Sequence, residues 1–200
     1  MKKLITVLSI IVMVSTVNAQ SFFSLGAKFG VTQGSLTKAP SLGSGSTTTG
    51  LVGGVFAKIG DDGLFLQPEI LLNQRIGIFS AGSGQSVTNT LTYLDIPLLV
   101  GYKVSAFRLY GGPNFQLLLA ANQKAPAGLN DPFFSKSNFN TAVVGYQLGI
   151  GANLGKIWLD VRYDASIGDL GKSITTTTGN QINYSTRANM FQFTIGYRFL

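Results

Sequence analysis

The chain contains no histidine and no cysteine, and charged residues fill only 12% of its 200 positions. Without histidine the commonest general base is missing and no Ser-His-Asp arrangement can form. Outer-membrane lipases, acyltransferases and proteases depend on that residue, so the composition points to a non-enzymatic protein. Without cysteine there is no lipoprotein anchor, no disulfide framework and no thiolate metal centre. Long apolar runs are lacking as well. Beyond the N-terminal segment none approaches the roughly 20 residues of a spanning helix, and Ile96 to Val100 is interrupted by Pro97. The formal charge of +7 is scattered, without the dense basic patch that a nucleic-acid surface requires. No cofactor or metal is expected, and no nucleic-acid partner.

At the N-terminus, Lys2 and Lys3 precede a mainly apolar run from Leu4 to Val17, and Val17-Asn18-Ala19 offers small residues before Gln20. This is the pattern of a secretory signal peptide over residues 1–19, too short to span a bilayer. Residues 20–200 suit one domain. Glycine, threonine, serine and aromatics dominate it, and these are sheet and turn residues.

From Phe22 onward the pattern alternates with period two, the mark of strands with one apolar and one polar or small face. Eight segments show it. Leu25, Ala27, Phe29 and Val31 oppose Ser24, Gly26, Lys28 and Gly30. Val55, Ala57 and Ile59 oppose Phe56 and Lys58; Leu66, Pro68, Ile70, Leu72 and Ile76 oppose Gln67, Glu69, Asn73 and Arg75. Leu94, Ile96, Leu98, Val100 and Tyr102 oppose Tyr93, Asp95, Pro97, Gly101 and Lys103, while Phe107, Leu109, Phe115 and Leu117 oppose Arg108, Tyr110, Asn114 and Gln116. Val144, Tyr146, Leu148 and Ile150 oppose Gly145, Gln147, Gly149 and Gly151. Ile157, Leu159, Val161 and Tyr163 oppose Trp158, Asp160, Arg162 and Asp164, and in the last segment Phe191, Phe193, Ile195 and Tyr197 oppose Gln192, Thr194, Gly196 and Arg198.

Connections alternate in length too. Long ones are expected over 32–50, 77–90, 120–140 and 168–188, and tight turns at Gly60-Asp61-Asp62-Gly63, Ser105-Ala106 and Gly155-Lys156. Long loops at one end and short periplasmic turns at the other are the arrangement of outer-membrane barrels. Across the turns, Lys103 should oppose Arg108, Gly149 oppose Arg162 and Gly54 oppose Glu69, each pair on one face.

A soluble lipocalin-like barrel would use the same alternation with the apolar face inward. Its outer face would then carry many Lys and Glu, whereas here the mixed face is rich in glycine and uncharged polar residues. Lys or Arg on the lipid side costs about 2–4 kcal/mol at midplane, so the charged face belongs inside. The expected fold is all-β: an eight-stranded antiparallel up-and-down transmembrane β-barrel. Eight strands leave a lumen just wide enough for its own side chains. Charges there must pair, which predicts a structural network of Lys28, Glu69, Arg75, Asp95, Arg108, Asp160, Arg162, Asp164 and Arg198. Lys58 joins the same interior.

Asp160 and Asp164 share a face but stand about 13 Å apart along the strand, too far for paired-carboxylate chemistry. Gly171-Lys172-Ser173 lacks the leading glycine of a phosphate-binding loop, Ser166 standing in its place. Pro132-Phe133-Phe134 reads as a membrane-interface anchor or a cover over the barrel mouth.

Several stretches together carry a resemblance: Phe65-Leu66-Gln67-Pro68-Glu69-Ile70-Leu71, Tyr93-Leu94-Asp95-Ile96-Pro97-Leu98-Leu99, Tyr110-Gly111-Gly112-Pro113, Asp160-Val161-Arg162-Tyr163 and Gly196-Tyr197-Arg198-Phe199. The mature chain resembles the PorT-type outer-membrane β-barrel family of Bacteroidota. The resemblance implies an OmpA-like eight-stranded barrel in the outer membrane of a Gram-negative cell, in contact with outer-membrane lipid and lipopolysaccharide. Fold does not set function. The reading is a filled barrel acting through surface loops, envelope support or envelope protein partners. An accessory role in protein secretion, with which the family's namesake is associated, or a narrow channel are the alternatives. Export can be checked directly: mass spectrometry of the mature protein is expected to give an N-terminus at Gln20, and retention of residues 1–19 would refute the signal assignment.

Overall fold

A computed structural model of the chain describes residues 22–37, 48–81, 85–124, 140–167, 173–175, 181–183 and 187–200. The expected signal peptide, the Pro132-Phe133-Phe134 group and the Gly171-Lys172 pair lie outside the described residues. The elements are β1 (Phe23–Thr37), β2 (Thr48–Ile59), β3 (Gly63–Ala81), β4 (Gln85–Val104), β5 (Phe107–Lys124), β6 (Ala142–Leu154), β7 (Ile157–Ser166), β8 (Ser173–Thr175), β9 (Gln181–Asn183) and β10 (Arg187–Arg198). Eight of them close a barrel in the order β1-β10-β7-β6-β5-β4-β3-β2, every neighbouring pair antiparallel. β8 and β9 form a separate two-stranded ladder in the last long connection. The first and last strands seal the barrel from Gly26 opposite Arg198 to Thr37 opposite Arg187.

Side-chain placement follows the sequence parity. Phe29, Val55, Ile70, Val100, Leu148 and Ile195 are exposed on the outer surface. Their immediate neighbours Lys28, Phe56, Glu69, Leu99, Gln147 and Thr194 are buried inside. Outer aromatics gather toward both ends of the wall. Tyr146, Tyr163 and Phe191 touch in series near one end, with ring centroids 6.4 and 5.4 Å apart. Tyr197 and Phe199 meet at 5.8 Å near the other. Such girdles mark the two membrane interfaces of a barrel.

The turns behave as short hairpin links. Lys103 opposes Arg108 and Gly149 opposes Arg162, as their sequence spacing requires. The β2–β3 register differs from the expected one: Glu69 faces Phe56, and Gly54 faces Leu71. The turn is larger than its four polar residues suggest, because Gly60 and Gly63 both adopt positive φ (115° and 86°) and pairing resumes only at Ile59 opposite Leu66. At Gly60 a side chain is doubly excluded, since a Cβ there would lie 2.5 Å from the Leu64 carbonyl oxygen. The shift is two residues, so every side chain keeps its face.

A larger correction concerns the long connections. β3 runs on to Ala81 and β4 begins at Gln85, so most of the expected loop 77–90 is a paired hairpin, with Gly77 opposite Asn89 and Ile78 opposite Thr88. β1 and β5 likewise extend into stretches expected to be loop, and β10 starts at Arg187, three residues before its expected beginning. Apolar alternation is demanded only where one face meets lipid. Threonine-rich backbone goes on pairing after the pattern has ended. A bulge at Thr92/Tyr93, where Leu118 and Ala120 face consecutive β4 residues, leaves Leu119 outside the ladder, while Leu118 stays inward on the same parity as Asn114 and Gln116.

The face assignment gives a direct test. Val100→Arg and Leu148→Arg each force a guanidinium into lipid, at a cost of about 2–4 kcal/mol near midplane, while Val100→Thr adds only a hydroxyl. Gel assays of the heat-modifiable folded form in lipid are expected to show strong loss for both arginine variants and little for threonine. Equal folding of Val100→Arg and Val100→Thr would show that this wall does not face hydrocarbon.

Candidate functional site

Strand parity delivers Lys28 from β1, Gln67 and Glu69 from β3, Arg108 and Tyr110 from β5 and Asp160 and Arg162 from β7 to one level of the lumen. Glu69 is the hub. Arg162 donates to both of its oxygens, Nη1 to Oε2 and Nη2 to Oε1, each at 2.7 Å, and Lys28 Nζ donates to Oε1 at 2.8 Å. Gln67 Nε2 also donates to Oε1. Asp160 is the second anion, accepting from Arg108 Nη2 at 2.8 Å, Tyr110 Oη at 2.7 Å and Lys28 Nζ at 3.3 Å. Arg162 Nε donates to the Tyr110 hydroxyl at 2.9 Å, so phenol and guanidinium bind the two carboxylates into one net. These side chains are almost wholly removed from solvent.

Space for this net comes from glycine. A Cβ on Gly151 would stand 2.4 Å from Asp160 Oδ1 and 2.8 Å from Arg108 Nη2, and one on Gly149 would meet the Tyr110 ring at 2.6 Å. Aromatic faces supply the remaining walls. The Arg108 guanidinium lies 4.2 Å from the Trp158 ring, which stacks on Phe56 at 4.6 Å.

A second cluster surrounds Arg75. Its Nη2 bridges Asp95 Oδ2 at 3.5 Å and Asp164 Oδ2 at 3.4 Å, and Nη1 donates to Gln116 Oε1 at 3.0 Å. Asn73 Nδ2 donates to Asp95 at 2.8 Å, and Asn114, Gln116 and Gln192 donate to Asp164 at 3.2–3.3 Å. Directly beside it, Leu91, Tyr93, Leu118, Val143 and Met190 form a buried apolar layer. Leu91 opposes Arg75, Val143 opposes Gln116 and Met190 opposes Asp164 in the ladders.

Eight of the nine residues expected in the lumen network are therefore ion-paired, but in two clusters. Asp160 and Asp164 go to different ones. Arg198 departs from the expectation: it ends β10 at the barrel mouth, is only half-buried, and forms no ion pair among the described residues. Lys58 serves its own turn, donating to the carbonyls of Gly60 and Asp61. At the exposed tip of the same turn, the Lys103 ammonium bonded to Asp62 holds that carboxyl below its usual range. Sequence reading did not single out the amides Gln67, Asn73, Gln147 and Gln192 as members of the net, because uncharged residues on a polar face carry no signal of their partners.

Chemically, the arrangement is an ion-paired scaffold. Each lumen carboxylate is held by cations or amides, and among the described lumen residues no nucleophile stands beside a base. The geometry defines a transmembrane β-barrel of eight strands with a polar, occluded interior. Residues 18–171 match the family described as the outer membrane protein beta-barrel domain, and the chain belongs to that family. It is an outer-membrane protein. Among solved structures, Neisserial surface protein A matches at 15% identity and a TM-score of 0.50, over 88% of this chain and 97% of that one. Ail, the attachment invasion locus protein of Yersinia pestis, matches at 10% identity and a TM-score of 0.47, over 89% and 99%. No curated protein matches the chain.

Glu69 provides the test of the scaffold. Glu69→Gln keeps the size of the side chain but leaves Lys28 and Arg162 short of an anion, and breaking a buried pair in this way costs on the order of 3–5 kcal/mol. Trp158, the sole tryptophan, reports unfolding from inside the lumen. Urea titration in detergent is expected to show a markedly lower midpoint for Glu69→Gln, partly restored by adding Lys28→Met. An unchanged midpoint would mean that the net contributes nothing to stability.

Proposed function

We propose that this chain is a PorT-type, non-enzymatic barrel with a filled lumen, and that it acts through the part of its sheet standing outside the membrane, where it engages envelope protein partners. The observation that carries the reading is strand length. β3, β4 and β5 have 19, 20 and 18 residues, whereas a tilted strand crosses the hydrocarbon with about 9–11. Roughly half of this three-stranded section is in excess of the crossing. The far ends of these strands lie opposite the tight turns, on the side of the long connections. An extended sheet of this kind presents backbone hydrogen-bonding groups and alternating side chains, the elements of strand-addition recognition.

Within the membrane the apolar wall contacts lipid and lipopolysaccharide. The lumen supports no transport reading, because two ion-paired clusters and an apolar layer succeed one another across it. The family resemblance makes an accessory role in secretion the specific form that partner binding would take.

In-cell photo-crosslinking tests the proposal. A crosslinking residue at Thr90, in the extended part of β4, is expected to capture a defined envelope protein, while the same group at Val100 contacts only lipid. Absence of any protein adduct at Thr90 and at neighbouring extra-membrane positions would refute it. Large stable currents from the purified barrel in planar bilayers would favour a channel instead.

A further inference from the structure

The two lumen clusters are not balanced. Around Glu69, three cations (Lys28, Arg108 and Arg162) meet two carboxylates. Around Arg75, one cation meets two carboxylates, Asp95 and Asp164. The surplus cation of the first cluster does not serve the second. Arg162 spends its donors on Glu69, Tyr110 and Gln147, and its position is two strand residues, about 7 Å, from that of Asp164. With both carboxylates ionised, the Arg75 layer carries one excess negative charge inside a closed barrel.

Hydrogen bonding leaves acceptors over in this layer, beside three buried donor groups that also lack partners, Arg75 Nε, Gln147 Nε2 and Tyr93 Oη. The amide nitrogens of Asn73, Asn114 and Gln192 are all spent on the two carboxylates, which fixes the orientation of each amide and leaves its oxygen over. Asn73 Oδ1, Asn114 Oδ1, Gln192 Oε1 and Asp95 Oδ1 are buried without partners. These residues are 0% exposed. Four acceptor oxygens and a unit of negative charge in a dry layer call for a positively charged guest that binds oxygen. Water would supply donors but no charge.

We propose that the Arg75 layer binds one monovalent metal cation, held by the Asp95 carboxylate and the surrounding amide oxygens. A divalent ion fits less well. It would leave the layer with excess positive charge, and calcium seeks six to eight oxygens, usually with several carboxylates. Among the described residues no group of three or more acidic, histidine or cysteine side chains is assembled to hold a metal. The apolar layer of Leu91, Tyr93, Leu118, Val143 and Met190 covers one side, so the ion enters as the barrel folds and its binding is read as stability.

The test uses the full mature protein folded in zwitterionic detergent, with unfolding followed by Trp158 fluorescence. Sodium chloride is compared with N-methylglucamine chloride at equal ionic strength, at neutral and mildly acidic pH. Sodium is expected to raise the unfolding midpoint saturably at neutral pH. Asp95→Asn removes the excess charge and is expected to be insensitive to sodium and at least as stable as wild type without it. Asp164→Asn supplies the same comparison should the first variant not fold. Equilibrium dialysis with radioactive sodium is expected to find one ion per folded chain and none after unfolding in urea. Identical wild-type midpoints in the two salts, sodium dependence that survives in a folded variant, or stabilisation by acid alone, meaning that a proton fills the role, would each overturn the proposal.

Discussion

A backbone that crosses hydrocarbon finds no water to bond to, and closure of the sheet is what this molecule depends on. The β1–β10 ladder joins the two ends of the barrel through twelve paired positions. With the edge abolished, every strand has one face committed to lipid and the other to the lumen, and the chain has no freedom to hide a misplaced side chain. The alternation of Phe29, Val55, Ile70, Val100, Leu148 and Ile195 with buried neighbours is the direct imprint of that constraint. So is the confinement of Lys28, Glu69, Arg108, Asp160 and Arg162 to one side.

Closure at eight strands then dictates what the lumen must be. Its bore is narrow enough for side chains from facing walls to meet, and an ion left unpaired there would cost several kcal/mol. Glu69 and Arg162 meet from non-adjacent strands, and Lys28 reaches both Glu69 and Asp160. Such contacts tie together walls that no backbone ladder joins. Glycine at 149 and 151 is the steric counterpart, since any side chain there would occupy the space of Tyr110, Arg108 and Asp160.

Much of this was legible in the sequence, because a period-two pattern under a lipid constraint carries its own reading. Strand number, face assignment and the ion-paired residues followed from parity and from turn spacing. Three features did not. Leu71, Leu99 and Leu91 fill the lumen, and within runs such as Leu71-Leu72 and Leu98-Leu99-Val100 only parity with their neighbours, not their own hydropathy, marks the inward leucine. The extent of β3 and β4 was hidden because outside the membrane both faces are wet and nothing selects for alternation. The division into two clusters depends on strand stagger around the barrel, which sequence does not encode locally: Asp160 and Asp164 look equivalent beside Arg162, and only Asp160 lies near it.

The polar lumen also bears on where function can reside. A one-residue slip of any strand would place Asp or Arg in lipid and a leucine or valine among the charges, so each ion pair across the lumen penalises the wrong register as well as stabilising the right one. Register is thereby specified from inside the wall, independently of what connects the strands at the outer end. That leaves the outer ends of β3, β4 and β5, which lie beyond the ion-paired clusters, outside this constraint. The same logic explains why the tight turns at Gly60, Ser105 and Gly155 are conformationally demanding, each with a positive φ, while the opposite ends of the strands run far past the membrane. One end of the barrel is set by tight backbone geometry at the turns, and the other by long strands that go on pairing beyond the ion-paired lumen.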